Sequence, residues 1–330
     1  MELKVGIVGA GHMGKVHAQI LTQDERVTLK GIVDVKEEPR ESLAAEFKIK
    51  AFASLKDLIS QGVDAIYITT PNTTHKDLTL QILKENIHIF CEKPMTTSLQ
   101  DAKRILKLLE SKNIVYQIGH NRRFAPVYKF ARSLIQNGKF TPYSAHVKMN
   151  RGELKNPPWV SNPNITGGFL YESTIHLLDM IRWLLGDVKM VECIGQKSVY
   201  EEIDDFALLL TFTSGRIATF LSSAHASWIF PFERIELFGE HSAIVTEEME
   251  RVTFSPGLKG EIITRDYSQY PELVKWGYVE EDRLFVDAIL GGKKPVVSAR
   301  DGYKSVELVE ACYESAEKKQ RLNLSFQGDS

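Results

Sequence analysis

The sequence has few of the features that would set it apart from ordinary globular proteins. Its 330 residues include only three cysteines, and its formal net charge is −2. Cys91, Cys193 and Cys312 are odd in number and far apart, which argues against a disulfide framework and against a closely spaced zinc site. We therefore predict no metal and a reduced, cytoplasmic location. Cys91 lies in an apolar run, which favours a buried small side chain over a reactive thiol.

Long apolar runs and an excess of one charge are also lacking. No run approaches the ~18 apolar residues of a membrane span, and the N-terminus does not have the pattern of a signal peptide. Lys and Arg (41) nearly balance Asp and Glu (43), so no overall positive field is available to hold nucleic acid or an anionic membrane. We expect neither partner. The length and the apolar content of 43% are typical of two folded domains.

The first third of the chain alternates short apolar runs with segments of helical spacing. The apolar runs cover residues 3–8, 27–33, 65–68, 87–91 and 114–118. Nearly continuous apolar strands separated by helices indicate a parallel sheet that is covered on both faces. The pattern predicts an α/β Rossmann domain over residues 1–123.

The pattern changes after about residue 123. A predicted helix at 126–136 and another at 169–185 are followed by strands that short turns connect, and two helices end the chain. Consecutive strands with short turns are typical of an antiparallel sheet. We predict an α+β domain over 124–330 with a large, mostly antiparallel sheet for substrate binding and oligomerisation. Its last helix is expected to be able to pack back on the first domain.

A glycine-rich turn follows the first predicted strand. Gly9, Gly11 and Gly14 match the pattern G-x-G-x-x-G, with His12 and Met13 between the last two glycines. The first glycine permits a tight turn, the second lets the backbone approach a pyrophosphate, and the third allows close packing of helix and sheet. Amides at the helix N-terminus would then hold the phosphates. The turn predicts a dinucleotide site that these five residues form.

An acid ends the second predicted strand, about 20 residues beyond the turn. The carboxylate of Asp34 can accept hydrogen bonds from both ribose hydroxyls and would repel a 2′-phosphate, so it predicts NAD in preference to NADP. Lys36 and Arg40 follow closely and leave NADP as the alternative. A solvated aspartate with no ligand is the other interpretation of this position.

Two further segments allow a functional and a structural interpretation. Glu92-Lys93-Pro94 follows the fourth apolar run, at the sheet edge where parallel sheets bind ligands, so Lys93 either stabilises a developing alkoxide or is a surface lysine. In the helix 169–185, Glu172, His176 and Asp179 share one face. That polar stripe either faces solvent or lines a site with a carboxylate beside a histidine.

The order of these motifs is that of a known enzyme family. The chain contains, in sequence, the glycine-rich turn, Thr70-Pro71-Asn72 with His75, Glu92-Lys93-Pro94, and Gly167-Gly168 leading to Glu172 and His176. On these motifs it resembles the Gfo/Idh/MocA oxidoreductases, the glucose-fructose oxidoreductase and inositol dehydrogenase group. The resemblance covers essentially the whole chain and favours the functional interpretation of Lys93 and His176.

The resemblance implies roles for particular residues. Lys93 would contact the reacting hydroxyl, His176 would take or return its proton, and Glu172 would orient His176 or bind a substrate hydroxyl. The nicotinamide ribose would lie beside Thr70, Asn72, Glu92 and, close by, His75. The substrate would contact Arg123, with the Pro157-Pro158-Trp159 loop and Trp276 as weaker candidates for walls of the pocket. His120 and Asn121 depart from the Phe-Met of the inositol enzymes.

The expected activity is NAD-dependent oxidation of a hydroxyl of a sugar, sugar derivative or inositol-type polyol, or reduction of the corresponding ketone. Two alternatives accompany it. Some members of the family are glycosidases that retain NAD and recycle it within one turnover, and a non-catalytic sensor of NAD or sugar could use the same fold. The resemblance also implies a homodimer or homotetramer.

Overall fold

The structure is a computed structural model that describes residues 2–151, 158–227 and 232–324. Contacts divide the chain into two units, unit 1 with Met1–Asn121 and Gly277–Tyr303, and unit 2 with Arg122–Trp276 and Lys304–Ser330. The division into domains at residue 123 stays a prediction, and the contacts add that segment 277–303 belongs to unit 1. No helix in the described part of the chain combines the length and apolar composition needed to cross a bilayer.

A parallel sheet forms the centre of unit 1. Its six strands are β1 Leu3–Val8, β2 Val27–Val33, β3 Lys50–Phe52, β4 Ala65–Ile68, β5 His88–Glu92 and β6 Tyr116–Gly119. They lie in the order β3-β2-β1-β4-β5-β6, and all five pairings are parallel. The predicted doubly wound α/β domain is confirmed. The short strand β3 was not predicted because only three residues form it and none of them is buried.

Helices connect the strands of unit 1 and cover the sheet. They are α1 His12–Leu21, α2 Glu37–Phe47, α3 Leu55–Ile59, α4 His75–Ile82 and α5 Leu99–Leu109. The first turn of α3 is capped by the hydroxyl of Ser54, which accepts a hydrogen bond from the amide of Asp57 at 3.2 Å. This Ser-x-x-Asp pattern is an N-terminal helix signal that our sequence analysis did not use.

Unit 2 contains the larger sheet and the helices packed on it. In chain order its elements are α6 Pro126–Gln136, β7 Ser144–Asn150, α7 Pro163–Thr166, α8 Ile175–Leu185, β8 Val188–Gln196, β9 Asp205–Phe212, β10 Ile217–Ser223, β11 Glu233–Gly239, β12 Ser242–Glu247, β13 Arg251–Ser255, β14 Ile263–Asp266 and α9 Glu272–Lys275. The chain ends with α10 Tyr278–Leu290 in unit 1, α11 Ala299–Lys318, which the unit boundary divides, and β15 Leu322–Asn323.

The nine strands of the larger sheet lie in the order β14-β13-β12-β11-β7-β10-β9-β8-β15. All pairings are antiparallel except that of β7 with β10, which confirms the predicted mostly antiparallel sheet. Burial alternates along the inner strands, so one face packs on the core and the other is open. The strands β13 to β15 were not predicted.

The core of unit 1 includes stacked aromatic rings next to buried strand residues. All four residues of β4 are fully buried. The Tyr67 ring lies 4.5 Å from that of Phe90 and 5.4 Å from that of Phe285, which α10 contributes. Aromatic pairs at such distances add about 0.5–1.5 kcal/mol each beyond the burial of their area. This packing explains why α10 belongs to unit 1 although it is distant in sequence.

The predicted helix 169–185 is present, but its first third is π-helical and not α-helical. Residues Leu170–Thr174 form one π-helical segment, and α8 follows from Ile175. A π segment inserts an extra residue relative to the α-helical spacing, and such segments occur frequently at functional sites. The even spacing that we assumed for Glu172 and His176 therefore does not apply across this segment.

Candidate cofactor and catalytic residues

The glycine-rich turn of unit 1 has the geometry of a phosphate-binding turn. Gly9 adopts a φ of +111°, and a Cβ there would lie 2.6 Å from the carbonyl oxygen of Thr69. A Cβ at Gly14 would clash with the carbonyl oxygen of Gly9, whereas a Cβ at Gly11 would meet nothing within 4 Å. The turn thus needs small residues for packing at two positions and faces open space at the middle one. A pyrophosphate fits that arrangement at the N-terminus of α1, where His12 and Met13 begin the helix.

Thr69 holds this turn in place, although our sequence analysis did not identify it. Its hydroxyl lies 2.9 Å from the carbonyl oxygen of Gly9 and 3.1 Å from that of Val8, and it donates to these acceptors. The amide of Gly9 donates to the carbonyl of Val33 at 2.8 Å. The turn is therefore tied to both neighbouring strands, β4 and β2. A threonine directly after the β4 run was the only signal in the sequence.

Asp34 is oriented by backbone amides at the end of β2. One carboxylate oxygen accepts from the amide of Ala10 at 2.8 Å, and the other accepts from the amide of Lys36 at 2.9 Å. Each oxygen keeps a second lone pair for a ribose hydroxyl. The guanidinium of Arg40 donates to the Asp34 carbonyl at 3.0 Å, so a cation also lies beside this position.

The segment after β4 forms a short 3₁₀ turn, Asn72–Thr74, before α4. The hydroxyls of Thr70 and Thr74 lie 2.6 Å apart, and Asn72 is buried. His75 is fully buried, with Nδ1 2.7 Å from the carbonyl oxygen of Pro94 and Nε2 2.8 Å from that of Thr70. Burial lowers the pKa of His75, although both carbonyls oppose this effect. Its ring links two loops at the carboxyl edge of the sheet, so we assign it a positioning role, and its contact with a cofactor stays a prediction.

The Glu92-Lys93-Pro94 turn follows β5 directly. The Lys93–Pro94 peptide bond is cis, and the side chain of Lys93 is half-buried. One carboxylate oxygen of Glu92 accepts from the Lys93 amide at 3.1 Å, and the other lies 3.1 Å from Nε2 of His17. Sequence analysis placed this carboxylate near the nicotinamide ribose, and that contact stays a prediction. It did not identify His17, the second histidine of α1.

In unit 2 the polar stripe of α8 does not face solvent. His176 is 7% exposed and Asp179 is fully buried, while Glu172 is half-buried in the π-helical segment. Asp179 accepts two hydrogen bonds from the guanidinium of Arg123, at 2.6 and 2.7 Å, and one from the Ser305 hydroxyl at 3.1 Å. The interpretation of the stripe as a solvent face is therefore wrong.

The three side chains predicted to contact substrate in unit 2, Arg123, Trp159 and Trp276, have different surroundings. Arg123 is buried by its ion pair with Asp179, so its contact with substrate stays a prediction. Trp276 stacks on Phe232 at 6.1 Å and lies under the Arg122 guanidinium at 4.8 Å, which is a packing role. Trp159 is 45% exposed, so its contact with substrate stays a prediction. Pro157 lies outside the described residues.

One group in the described residues has the composition of a metal site. The ligand atoms of Asp204, Asp205 and His225 lie within 4.8 Å of one another. However, the buried Asp204 carboxylate accepts hydrogen bonds from the amides of residues 198–200, and His225 lies 3.0 Å from the Asp205 carboxylate. These hydrogen bonds stabilise the loop between β8 and β9, which explains why the three side chains lie close together without a metal ion.

The parallel sheet, the glycine-rich turn and the carboxylate at the end of β2 together define a dinucleotide-binding domain. The sequence profile described as "Oxidoreductase family, NAD-binding Rossmann fold" matches residues 3–120, and that described as "Oxidoreductase family, C-terminal alpha/beta domain" matches residues 132–324. The chain therefore belongs to the Gfo/Idh/MocA family of NAD-dependent oxidoreductases. The predicted family and the predicted cofactor, NAD, are confirmed.

Three similar proteins illustrate the range of the family. Myo-inositol 2-dehydrogenase of Thermotoga maritima is 29% identical over 98% of each chain. The 2,7-anhydro-N-acetylneuraminate hydratase of Escherichia coli is 30% identical over 68% of this chain and 63% of its own length. The structure of a levoglucosan dehydrogenase in complex with NADH and levoglucosan superposes with a TM-score of 0.89, at 21% identity, over 98% of this chain and 100% of that one.

Proposed function

We propose that the protein oxidises a hydroxyl of a sugar, a sugar derivative or an inositol-type polyol with NAD⁺, or reduces the corresponding ketone. The observation that carries the proposal is the Lys93 turn, which follows β5 at the same carboxyl edge of the sheet as the glycine-rich turn after β1. Ligands of parallel sheets bind at this edge. Relatives named for inositol, levoglucosan and glucose 6-phosphate dehydrogenation support the substrate class.

Three side chains carry the proposed reaction. The ammonium of Lys93 donates a hydrogen bond to the reacting hydroxyl and stabilises the alkoxide that develops. His176 accepts the hydroxyl proton, and Glu172 orients His176 or binds a neighbouring hydroxyl. Bound NAD⁺ would supply hydride-acceptor chemistry for the carbinol carbon. Arg123 and Trp159 are the proposed additional substrate contacts, and the proposed cofactor contacts are Gly9, Gly11, His12, Met13, Gly14, Asp34, Thr70, Asn72, His75, Glu92 and Lys93.

The test measures absorbance at 340 nm with purified protein, NAD⁺ or NADP⁺, and a panel of inositols, free sugars, sugar phosphates, nucleotide sugars and anhydrosugars. We expect NADH formation with at least one polyol and a loss of about 10³-fold in Lys93→Met, since several kcal/mol of charge stabilisation disappear. Lys107→Met, at an exposed position of α5, is the matched control and should keep full activity. Equal activity of both variants would overturn the role of Lys93.

A second candidate function is hydrolysis, hydration or elimination with NAD that is recycled within one turnover. The relationship to the Escherichia coli hydratase favours it. Its sign would be conversion of a glycoside or anhydrosugar by protein that retains NAD, without net NADH formation. A non-catalytic sensor is a third candidate, which the presence of both Lys93 and His176 argues against. Full biological activity of Lys93→Met would favour the sensor.

We also propose that the protein is a homodimer or homotetramer that uses the open face of the larger sheet. Leu209, Ile217 and Leu221 lie on neighbouring strands of this face and are each about half exposed. Contiguous exposed apolar side chains commonly mark protein–protein contacts. Leu209→Glu combined with Leu221→Glu should convert the oligomer to monomers in light scattering, whereas Thr219→Glu between them should have a smaller effect.

A further inference from the structure

Three charged side chains from distant parts of the sequence meet inside unit 1. His17 lies on α1, Glu92 ends β5, and Asp282 lies on α10. The Nδ1 of His17 is 2.9 Å from both carboxylate oxygens of Asp282, and Nε2 is 3.1 Å from Oε1 of Glu92. Their exposed fractions are 0%, 6% and 1% for His17, Glu92 and Asp282. Nothing in the proposed reaction uses His17 or Asp282.

Aromatic side chains enclose the imidazole. The ring of His17 lies 4.9 Å from Phe90 of β5, 5.1 Å from Tyr67 of β4 and 6.3 Å from Tyr278 of α10. These rings exclude water, so the two carboxylates act on the imidazole with little screening. Other charged groups near this site in the described residues include Glu281, which is buried on α10, Asp24, which follows α1, and Lys93, which follows Glu92.

The carboxylates keep the imidazole protonated. Burial by itself would lower the pKa of His17, but the charges and hydrogen bonds of Asp282 and Glu92 raise it to about 10. Burial would likewise raise the pKa of Glu92, but the hydrogen bond and charge of His17, together with Lys93, lower it. Burial raises the pKa of Asp282, and the charge and hydrogen bond of His17 oppose this effect. Because Nδ1 of His17 contacts both carboxylate oxygens of Asp282 and Nε2 contacts Glu92, negative and positive charges alternate along Asp282, His17 and Glu92.

The second oxygen of Glu92 connects this chain of charges to the lysine turn. Oε2 accepts from the Lys93 amide at 3.1 Å, while Oε1 contacts His17. A buried carboxylate without its cation would take up a proton or rotate, because an unpaired buried charge is very unfavourable. Rotation would release the amide of Lys93 from its acceptor, and protonation would weaken that acceptor by removing its charge.

We propose that His17, as an imidazolium held by Asp282, is a positioning residue for Lys93 that acts through the ionised carboxylate of Glu92. This inference rests on the proposed role of Lys93. Through Asp282, α10 would then help to align the ammonium of Lys93, although the two residues are far apart in the sequence. His75 supports the same turn from the other side through the carbonyl of Pro94.

The kinetic test compares His17→Gln and Asp282→Asn with a control on the same helix, Asp287→Asn. Asp287 pairs with Arg26 and Arg283 and does not contact the charge chain. We expect both test variants to lose about 10–100-fold in kcat, as small misplacements of reacting groups do. Their KM for NAD⁺ should change less than about threefold, and the control should match wild type.

The pH profile separates positioning from general loss of structure. Without the imidazolium the pKa of Glu92 rises, so the acid limb of kcat against pH should move to higher pH in His17→Gln. Adding Glu92→Gln should remove this new limb, because the amide cannot titrate but still offers an oxygen to the Lys93 amide. A profile that keeps the wild-type limbs in both variants would overturn the proposal.

An NMR measurement tests the charge chain without activity. In protein labelled with ¹⁵N-histidine, the His17 signals, assigned by their loss in His17→Gln, should be those of an imidazolium from pH 6 to about 9. In Asp282→Asn the ring should lose its proton within that range. A neutral His17 ring at pH 7 in wild type would overturn the proposal. If the dehydrogenase assay fails on every substrate, this measurement still decides the charge state of His17, so the two failures are distinguishable.

Discussion

Asp34 in unit 1 and Asp179 in unit 2 accept hydrogen bonds from different kinds of donor. In unit 1, both oxygens of Asp34 accept from backbone amides, those of Ala10 and Lys36. In unit 2, Asp179 depends on side chains, with two hydrogen bonds from Arg123 and one from Ser305. Backbone amides persist when side chains are substituted, whereas a guanidinium is lost with one mutation. Unit 1 should therefore tolerate substitutions around its carboxylate better than unit 2.

The cations that accompany buried carboxylates also differ between the units. In unit 1 the cation is the imidazolium of His17, which can lose its proton within the accessible pH range. In unit 2 it is the guanidinium of Arg123, which stays charged at any pH at which proteins fold. The pH therefore acts on the charge of His17 next to the lysine turn, whereas the Arg123–Asp179 ion pair keeps its charges. The following predictions test this contrast, from the largest expected effect to the smallest.

His176→Asn should have the largest effect, a loss of about 10²–10⁴-fold in kcat, because the proposed proton acceptor disappears. The measurement is the steady-state rate with the best substrate of the panel. His146→Asn is the control in the same unit, since His146 lies exposed on β7, where its ring contacts the hydroxyl of Thr219. Comparable losses in both variants would mean that His176 has no special role.

Arg123→Met should lower the free energy of unfolding by about 3–5 kcal/mol, because it leaves the Asp179 charge buried without its bidentate partner. Arg182, whose guanidinium is 3.7 Å from Asp179, compensates only in part. The measurement is urea unfolding. Arg251→Met removes an exposed pair with Asp266 and should cost at most about 1 kcal/mol. The dependence of Asp179 on the Arg123 guanidinium would be contradicted if Arg123→Met were as stable as this control.

Asp34→Ser should reduce kcat/KM for NAD⁺ by about 10–100-fold, the equivalent of charged hydrogen bonds worth about 1.5–3 kcal/mol. The value for NADP⁺ should rise, because the 2′-phosphate then meets Arg40 and Lys36 without the carboxylate. Asp34→Asn keeps the shape of the side chain and isolates the effect of charge. Unchanged selectivity between the two cofactors in both variants would show that Asp34 does not contact the ribose.

The last prediction is a pH dependence of stability, for which the effect per pH unit is small, at most about 1.4 kcal/mol for one proton. The pKa of His17 is raised from 6.5 to about 10 in the folded protein, so its contribution to stability is complete below pH 6.5 and is lost as pH rises toward 10. Urea unfolding at pH 7, 8, 9 and 10 should therefore show a steeper decline in wild type than in His17→Gln. Parallel declines would contradict the ion pairing of His17.

Local patterns in the sequence predicted most of unit 1. The glycine-rich turn, the strands around it and the acid at the end of β2 lie within a short stretch, and each has its own residue signature. The folding of β13 to β15 and the π segment before α8 could not be predicted in this way. These elements depend on sheet pairing and on packing against distant residues, which override weak local preferences.

The ion pairs of the candidate catalytic residues likewise could not be predicted from local sequence patterns. Glu172, His176 and Asp179 are visible as a stripe, but its burial depends on Arg123, which contacts Asp179 from a different segment. His17 and Asp282 carry no recognisable motif, and they are separated by most of the chain.

The sequence by itself determined the class of fold, the dinucleotide turn with its preference for NAD, and the identity of the residues proposed for catalysis. The fold class and the turn follow from the conformational freedom of glycine, the charge of Asp34 and the periodicity of apolar residues, which are all local properties, whereas the residues proposed for catalysis follow from the order of motifs that the chain shares with its family. Only the tertiary structure decided which charges are buried and which cation accompanies each of them. The desolvation of a charged side chain and its ion pairing depend on which groups the fold brings within about 3 Å of it. Such neighbours can be far apart in the sequence, as His17 and Asp282 are.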